Sequence, residues 1–542
     1  MEERKVILRR VYLVYIICSL FGIAILSRVF YLQFVEGDKW KKEAENFTIR
    51  ELDIEAVRGN IFAIDGSLLA TSLPYYDVAI DPVANSLMND AEFEDSARAL
   101  ARGLSRILVA RNEYDLFAQL IQARERRARY EVIARNVPYK QLQQMKRLPL
   151  FRAGRFKGGF IYDQSNHRER PFRMLAERTI GFVSENGKYH VGLEGAFDSV
   201  LTGTSGKRLM RKIAGGVWMP LNNENEIDPQ QGKDIVSTID INIQDVAENA
   251  LLNSLVQYNA KYGCVVLMEV ETGEIRAIAN LSRHPKDSGV YVEDYNYAVG
   301  DAEEPGSTFK LASLLVAMDD GLVNPHDHVS LEGGNHTYYD RVMRDSHTPK
   351  KDDVTVEEAF WESSNVGISK AICNAYSKKP KAFTDGLHRI GLGQQLGLQI
   401  KGEGKARIKS AGEETWSGVS LPWISIGYES LITPLQTLTF YNAVANNGVM
   451  VKPMFVKEIR DKGRTVKTVK PEIINAAIAS PATIKKAKSL LEGVVQNGTA
   501  KHLKNSVYPI AGKTGTAQIA QGSGYGKDKN SMTYQASFVG YF

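Results

Sequence analysis

An uncharged apolar run near the N-terminus limits most strongly what this chain can fold into. Val11–Ser27 contains no charged residue and covers roughly 25 Å as a helix. Residues up to Leu32 can extend that helix if the side chain of Arg28 snorkels to the interface. The basic residues ahead of the run are Arg4, Lys5, Arg9 and Arg10. We predict a transmembrane anchor over residues 11–33, with residues 1–10 in the cytoplasm and the remainder outside it.

A signal peptide that is removed after export is the alternative interpretation of this run. No Ala-x-Ala-like site follows it, and Arg28-Val29-Phe30-Tyr31 is a poor cleavage sequence. We therefore expect the span to be retained as a single-pass anchor.

The composition argues against several classes of protein. A chain of 542 residues has room for about three domains. The net charge of +5, with no long basic run outside the tail, gives no sign of nucleic-acid binding. Three scattered cysteines are too few for a disulfide framework. The nine histidines show no ligand spacing, so we expect neither a metal nor a cofactor.

A turn followed by an apolar helix carries the first chemical motif. The turn is Pro305-Gly306, and Leu311–Met318 has helical spacing. Ser307 is therefore predicted in the first helical turn, with Lys310 one turn later on the same face. A serine hydroxyl needs a base to become a nucleophile, and a lysine that burial and nearby cations keep neutral can be that base. Taken alone, the pattern favours a capped helix with a surface lysine.

The second motif lies at a break between two predicted helices. Thr355 and Glu358 form a capping-box pattern at the start of Val356–Trp361. The break is Ser363-Ser364-Asn365, and a second helix is predicted from Val366 to about Ala375.

The third motif is Lys513-Thr514-Gly515 in a predicted strand that begins with Val507–Ile510. Glycines in such a strand allow the close approach of a ligand backbone. The polar loop Gln521–Ser531 then separates this strand from a last predicted strand, Ala536–Tyr541.

The chain between the span and the first motif divides at a polar stretch. Residues 90–150 are highly charged and are predicted to be helical, and their basic cluster Arg124–Arg129 fits a solvated helix face better than a binding site. Asn222–Gly232 has the composition of a linker. We therefore predict one domain over residues 34–232 and another over residues 233–542.

Ser-x-x-Lys, Ser-x-Asn and Lys-Thr-Gly, in this order, are the motifs of the penicillin-recognising serine acyltransferases. Together with the span, Arg58-Gly59 and Gly192-Leu193-Glu194, they give a chain that resembles the class B penicillin-binding proteins over essentially its whole length. Within that family the likeness is closest to the septal D,D-transpeptidases of FtsI type. The sequence departs from the family pattern at Ala63, where an aspartate is frequent, and at Glu429, where a glycine is more frequent.

The resemblance implies an α+β fold with three parts. These are an N-terminal transmembrane helix, an elongated mixed α/β pedestal of the penicillin-binding protein dimerisation type, and a transpeptidase domain with an antiparallel sheet flanked by helices. The family places another strand and a helix after the last strand predicted here. We therefore expect the transpeptidase domain of this sequence to be truncated at its C-terminus.

The resemblance also implies roles for the motif residues. Ser307 would attack the carbonyl of a terminal D-Ala-D-Ala peptide, Lys310 would be the general base, and Ser363 would pass protons to the leaving amine. The implied catalytic residues are Ser307, Lys310, Ser363, Asn365 and Lys513, and the implied substrate-binding residues are Thr514, Gly515 and Thr516.

The remaining implied roles concern recognition. Asn365 would bind a substrate amide, and Lys513 would supply positive potential. The hydroxyls of Thr514 and Thr516 would bind the substrate carboxylate. The backbone N–H groups of Ser307 and Thr516 would form an oxyanion hole.

The function implied by the resemblance is that of a penicillin-sensitive D,D-transpeptidase, which cross-links peptidoglycan at the division septum from the bacterial inner membrane. Its partners would be stem peptides, β-lactams, the membrane, and division proteins that include a glycosyltransferase. One alternative is a D,D-carboxypeptidase or β-lactamase-like hydrolase, against which the anchor and the large pedestal argue. The other is a division scaffold with a vestigial catalytic domain, against which the intact triplet argues.

Overall fold

The computed structural model describes residues 2–41, 49–85, 88–184, 186–213, 217–220, 227–287, 289–519 and 533–542. The predicted loop Gln521–Ser531 and the first residues of the predicted linker Asn222–Gly232 lie outside these ranges. The chain divides into two compact units. The smaller unit consists of Met1–Val57, Leu73–His167 and Gly203–Gln231, and the larger unit of Arg58–Ser72, Arg168–Thr202 and Gly232–Phe542.

The N-terminal helix has no buried face between Val11 and Phe30. It runs over Glu2–Phe30 and continues as one π-helical turn, Tyr31–Val35. The segment Arg10–Val35 is apolar enough to cross a membrane, and at 1.5 Å per residue it is about 39 Å long, which exceeds the ~30 Å of a bilayer core. Large apolar side chains are exposed from Val11 to Val35, as expected for a helix whose neighbours are lipids.

The folded part of the smaller unit places helices against a sheet. The helices Asp90–Ile107 and Glu113–Glu125 bury Leu100, Leu104 and Leu116. Its remaining helices and 3-10 turn are Tyr139–Met145, Phe151–Ala153 and Gly154–Gly158. Its strands are Ile49–Ile54, the later part of Leu68–Ile80, Glu131–Pro138, most of Phe160–Glu169, Gly206–Ile213 and Val217–Pro220.

The prediction that residues 90–150 are helical is wrong in one segment. Glu131–Pro138 is a strand that pairs antiparallel with the strand containing Tyr75 and Val78. Ile133 and Val137 are buried, whereas Arg135, which a regular strand would place on the same face, is exposed. The register shifts near Asn136, whose φ is +56°, so the strand lacks the regular alternation by which a sequence pattern could reveal it.

In the larger unit, two segments that precede the catalytic motifs are joined by ion pairs. Arg58 donates to the buried Glu194 at 2.7 Å and to Asp198 at 2.6 Å. Arg168 reaches the other oxygen of Glu194 at 2.6 Å. The Arg58-Gly59 and Gly192-Leu193-Glu194 segments, which are distant in sequence, are therefore held by one buried carboxylate whose two oxygens are both satisfied.

The remainder of the larger unit is α+β. Its helices are Glu177–Ile180, Gly192–Ala196, Asp198–Leu201, Ile241–Gln257, Tyr297–Gly300, Lys310–Asp319, Val356–Trp361, Asn365–Tyr376, Pro380–Arg389, Ser420–Ser425, Pro434–Ala445 and Pro481–Gln496. Its 3-10 turns are Gly306–Phe309, Glu332–Gly334 and Lys501–Leu503. Its strands are Ile61–Phe62, Phe182–Val183, His190–Val191, Asp234–Ser237, Tyr262–Met268, Ile275–Arg283, Tyr291–Val292, His328–Ser330, Asn335–Tyr338, Arg341–Arg344, Asp353–Thr355, Arg407–Ile408, Ser430–Leu431, Met450–Val451, Val456–Asp461, Arg464–Thr468, Ile473–Asn475, Ala511–Ile519 and Thr533–Tyr541.

The three motif segments lie in elements of the predicted type. The capping box of Thr355 and Glu358 is present, and the following helix is Asn365–Tyr376. The Lys-Thr-Gly strand, Ala511–Ile519, pairs antiparallel with Thr533–Tyr541, which confirms the last predicted strand. The strand does not include Val507–Ile510; Val507 is almost fully exposed there, so it lacks the burial that favours a strand.

The helix Lys310–Asp319, called the serine helix below, is buried on every side. All residues from Lys310 to Met318 are buried, as expected for a helix whose residues are apolar on all faces. Val316 packs closely on Gly386 of a neighbouring helix. A rigid, fully enclosed helix of this kind fixes the position of the turn that precedes it.

Candidate active site

Ser307 lies in the tight 3-10 turn that leads into the serine helix. Gly306 has φ +56°, and a Cβ there would lie 2.9 Å from the Cβ of Ala517 on the Lys-Thr-Gly strand. The turn is fixed further by Tyr441, whose buried hydroxyl donates to the carbonyl of Thr308 at 2.8 Å. The half-buried Ser307 is therefore held by backbone contacts rather than by its own side chain. Within the part of the chain that the structure describes, no hydrogen bond reaches its hydroxyl.

Lys310 is fully buried one turn beyond Ser307. Its Nζ donates to the carbonyl of Ser363 at 2.6 Å and to the Ser363 hydroxyl at 3.4 Å. Burial and the neighbouring Lys513 lower the pKa of Lys310 well below the ordinary range, while the charge of Asp345 opposes the shift. A neutral lysine amine has two N–H donors and one lone pair. Because Ser363 accepts both donors, the lone pair is free for a proton of Ser307.

Ser363 is the turn between the two helices of the second motif. It has φ +59°, a backbone conformation that is unfavourable for a serine. Its N–H donates to Phe360 O at 3.1 Å, and the N–H of Ser364 donates to Ala359 O at 2.8 Å. These bonds end the first helix and direct both the carbonyl and the hydroxyl of Ser363 towards Lys310.

Lys513 approaches the same hydroxyl from the Lys-Thr-Gly strand. Its buried Nζ donates to Ser363 Oγ at 2.8 Å and to Thr514 O at 2.9 Å. Burial lowers the pKa of Lys513 to about 7. Two ammonium groups cannot both be stable beside one buried hydroxyl, and the charge of Lys513 is one cause of the lowered pKa of Lys310. A charged Lys513 therefore favours the neutral form of Lys310.

The other predicted residues of this strand have different surroundings. Thr514 is half-buried and its hydroxyl lies 2.6 Å from that of Thr499, whereas Thr516 is exposed. Gly515 is buried, and a Cβ there would collide with Ser537 and would lie 3.0 Å from the Cγ2 of Thr308. The close approach that we predicted at this glycine is thus made by the chain itself.

Asn365 begins the helix Asn365–Tyr376 and does not bond to the two lysines. Its Nδ2 donates to Arg344 O at 2.8 Å, which leaves its Oδ1 as the atom available to an incoming amide.

Asp345 is a residue of the site that the sequence analysis missed. One carboxylate oxygen accepts from the N–H groups of Asn365 at 2.6 Å and Val366 at 3.0 Å, and the other accepts from Ser364 Oγ at 2.7 Å. The carboxylate therefore caps the helix that begins at the second motif, where a negative charge is favourable. Its loop carries no local motif, so a single sequence offers no signal for this long-range contact.

Glu429 lies at the rim and is engaged in an ion pair. Its carboxylate contacts Lys409 at 2.7 Å, and its N–H donates to Glu304 Oε1 at 2.8 Å. It therefore stabilises the turn after Gly427, whose carbonyl accepts from Gly306 N at 3.2 Å.

A cavity of about 360 Å³ lies beside the second motif. Its walls combine apolar side chains with polar and charged ones, and Ser363 is part of the lining. The apolar residues are Leu331, Pro349, Val354, Ala359 and Trp361, and the charged ones are Asp345, Lys350, Lys351, Glu358 and Glu362.

Comparison with known proteins gives two family matches. Residues 263–542 match the penicillin binding protein transpeptidase domain, and residues 53–237 match the penicillin-binding protein dimerisation domain.

Individual relatives agree with these matches. The chain is 30% identical to penicillin-binding protein PbpB of Mycolicibacterium smegmatis over 66% of its own length and 56% of the relative's length. It is 27% identical to the peptidoglycan D,D-transpeptidase FtsI of Escherichia coli K12 over 92% of its own length and 80% of the relative's. The crystal structure of penicillin binding protein 2X from Streptococcus thermophilus superposes with a TM-score of 0.71 at 22% identity, covering 90% of this chain and 73% of that one. That structure therefore has the same fold.

Proposed function

The chain belongs to the class B penicillin-binding proteins, and we propose that it cross-links peptidoglycan stem peptides as a D,D-transpeptidase with Ser307 as its nucleophile. The observation that carries the proposal is the convergence of Lys310 and Lys513 on the hydroxyl of Ser363. This convergence joins three motifs that are far apart in the sequence, and it gives the serine a neutral base within one helical turn.

Acylation begins when the Ser307 oxygen attacks the carbonyl carbon of the penultimate D-Ala in a D-Ala-D-Ala terminus. Lys310 takes the hydroxyl proton, and the C–N bond to the terminal D-Ala breaks. The departing amine needs a proton, which Lys310 returns through Ser363 because the Ser363 hydroxyl contacts both lysines. The products are an ester at Ser307 and free D-Ala.

Substrate binding uses the Lys-Thr-Gly strand and Asn365. Positive potential at Lys513 attracts the terminal carboxylate, which the hydroxyls of Thr514 and Thr516 then bind. Asn365 accepts from a backbone amide of the substrate through Oδ1. The N–H groups of Ser307 and Thr516 stabilise the oxyanion, and Gly515 lets this strand approach the serine turn.

The second half-reaction transfers the acyl group to an amine of a neighbouring stem peptide. We assign the acceptor to the cavity that Ser363 helps to line, next to the residue that would take its proton. A hydrolase would instead need a group that activates water. Glu429 is the acidic residue that we considered for this role, and its ion pair with Lys409 supports a structural one. These contacts favour the transferase over a D,D-carboxypeptidase or β-lactamase-like hydrolase, and the complete triplet argues against a vestigial scaffold.

The cellular setting follows from the N-terminal helix. The helix anchors the chain as a single span in the bacterial cytoplasmic membrane, with residues 1–10 inside and the catalytic part outside. We assign residues 34–232 to the pedestal and 233–542 to the transpeptidase domain, which the two family matches support. Septal division proteins, including a glycosyltransferase that supplies the glycan strands, are the expected partners.

Covalent labelling with a fluorescent penicillin tests the proposal. The β-lactam carbonyl and carboxylate mimic D-Ala-D-Ala, so the protein should be labelled at Ser307. Ser307→Ala should abolish labelling, and Lys310→Ala should nearly abolish it because the hydroxyl then keeps its proton. Labelling that survives Ser307→Ala, or an adduct mapped elsewhere by mass spectrometry, would overturn the assignment.

A further inference from the structure

The smaller unit contains a long segment without negative charge. Val132–Tyr162 holds seven lysines and arginines and no aspartate or glutamate. Its positive charge therefore exceeds the net +5 of the entire chain. The cations, called the basic surface below, are Arg135, Lys140, Lys146, Arg147, Arg152, Arg155 and Lys157.

These cations differ from the arginines that come just before them in the chain. Arg124, Arg126 and Arg129 form ion pairs with Asp90, Glu131 and Asp81. In the described ranges, no cation of the basic surface has a carboxylate within ion-pair distance, and all are exposed except the half-buried Lys146. These three arginines are thus neutralised within the fold, whereas the described residues leave the basic surface without a paired carboxylate and available to an external polyanion.

Exposed aromatic rings lie among these cations. Tyr139, Phe156 and Tyr162 have 57%, 68% and 43% of their surface exposed. The rings of Tyr139 and Tyr162 lie 6.2 and 6.0 Å from that of Tyr76. The Nζ of Lys146 lies 4.4 Å from the centre of the Tyr162 ring. Lys146 thus lies over an exposed ring, and Phe156 stands between two cations in the sequence, Arg155 and Lys157.

We infer that the basic surface binds uncross-linked peptidoglycan strands, separately from the site at Ser307; this inference rests on the proposed function. Each uncross-linked stem peptide ends in a free carboxylate, so the strand is a series of spaced anions joined by sugar rings. Carboxylates match the unpaired guanidinium and ammonium groups, and the apolar faces of sugar rings can stack on exposed aromatic side chains. Binding many weak anions along one polymer raises its local concentration near the enzyme.

An anionic lipid surface would match the charge but not the arrangement of the rings. Insertion into a bilayer needs a continuous apolar face with the cations on the opposite side. Here the exposed rings are separated by cations, as in Arg155-Phe156-Lys157, and two of the three are tyrosines. The alternation fits a polymer of rings and carboxylates better.

The test measures the binding of fluorescently labelled, uncross-linked strands to the full-length protein in detergent. Ser307 is first acylated with penicillin, so that capture at the catalytic site cannot contribute. The variant Arg152→Gln/Arg155→Gln/Lys157→Gln removes three charges of the basic surface. The matched control, Arg464→Gln/Lys467→Gln/Lys470→Gln, removes three exposed cations from the larger unit.

The basic-surface variant should bind the strands about tenfold more weakly than wild type, whereas the control should stay within about twofold. Strands whose carboxylates have been converted to amides should bind wild type as weakly as the variant binds normal strands. Phe156→Ala should weaken strand binding without changing its salt dependence.

Equal binding by the two triple variants, or unchanged binding of amidated strands, would overturn the inference. Equal competition by phosphatidylglycerol vesicles would also overturn it and would assign the surface to lipid. Penicillin acylation is measured in every variant, and its loss would count against the proposed function instead.

Discussion

At the scale of single residues, the site depends on the position of Ser363. Its φ of +59° costs on the order of 1 kcal/mol for a non-glycine residue. The conformation directs its carbonyl and hydroxyl to Lys310 and the same hydroxyl to Lys513. The strained turn therefore lets one residue orient the base and connect it to the second lysine.

The pKa of Lys310 makes a prediction about pH. Lys310 acts as a base only when neutral, so the acylation rate should rise with pH through its depressed pKa. Lys513→Met removes a cation that lowers this pKa. The rising part of the acylation pH–rate profile, called the acylation limb below, should therefore move to higher pH, even as the maximal rate falls. Stopped-flow acylation by a fluorescent penicillin across the pH range gives the position of the acylation limb. An acylation limb that stays in place would show that Lys513 does not lower the pKa of Lys310.

Glu429 makes a prediction about the fate of the acyl-enzyme. Its carboxylate is paired with Lys409, and water attack at Ser307 should be slow without an activating group. A penicilloyl adduct should therefore persist for many minutes, and D-Ala release from a donor peptide should rise when an amine acceptor is added. Rapid penicillin turnover that ignores the acceptor, and that Glu429→Gln abolishes, would reassign the protein as a hydrolase. Lys409→Met serves as the control, because it breaks the same ion pair while keeping the carboxylate.

At the scale of elements, Asp345 connects helix capping to catalysis. Its carboxylate caps the helix Asn365–Tyr376, and its charge raises the pKa of Lys310. The same carboxylate thus positions the second motif and limits how far the pKa of Lys310 is lowered.

Asp345→Asn should therefore have two effects. Loss of the charged cap should lower the free energy of unfolding by about 1 kcal/mol. Loss of the negative charge should lower the pKa of Lys310 further and move the acylation limb to lower pH, opposite to Lys513→Met. Thermal melting and the acylation pH profile measure the two effects. Asn89→Ala, which removes the cap of the helix Asp90–Ile107, should cost similar stability and leave the limb unmoved. If the acylation limb of Asp345→Asn does not move, Asp345 caps the helix without changing the pKa of Lys310.

The elements show which features the sequence can predict. The turn at Ser307, the capping box of Thr355 and Glu358, and the strand at Lys513 all follow from local rules, and the structure has them. The strand Glu131–Pro138 was missed because a register shift near Asn136 breaks its alternation. The predicted Lys-Thr-Gly strand began too early, because Val507 and Tyr508 are apolar or aromatic but exposed. Asp345 could not be found, since its contacts join segments about 20 residues apart through a loop without a motif.

At the scale of the whole molecule, the charges around the span determine which parts of the chain lie in which compartment. The catalytic chemistry needs stem peptides, which lie outside the cytoplasm under the proposed function. The basic residues before Val11 favour a cytoplasmic N-terminus, and the π-helical turn Tyr31–Val35 continues the exposed helix beyond Phe30. The charge bias thus favours a catalytic part on the outer side, and the longer helix adds only to the length of the span.

A reporter enzyme that is active only in the cytoplasm tests this topology when it is fused at about residue 220. The fusion should be silent, because the single span carries the reporter across the membrane. The control is the same fusion without residues 2–35, which should be active because nothing then directs the reporter across. A second variant replaces Arg4, Lys5, Arg9 and Arg10 by glutamate. It should show partial activity, because the charge bias that retains the N-terminus is lost. Strong activity of the intact fusion would place the Ser307 site in the cytoplasm, away from its proposed substrate, and would contradict the topology.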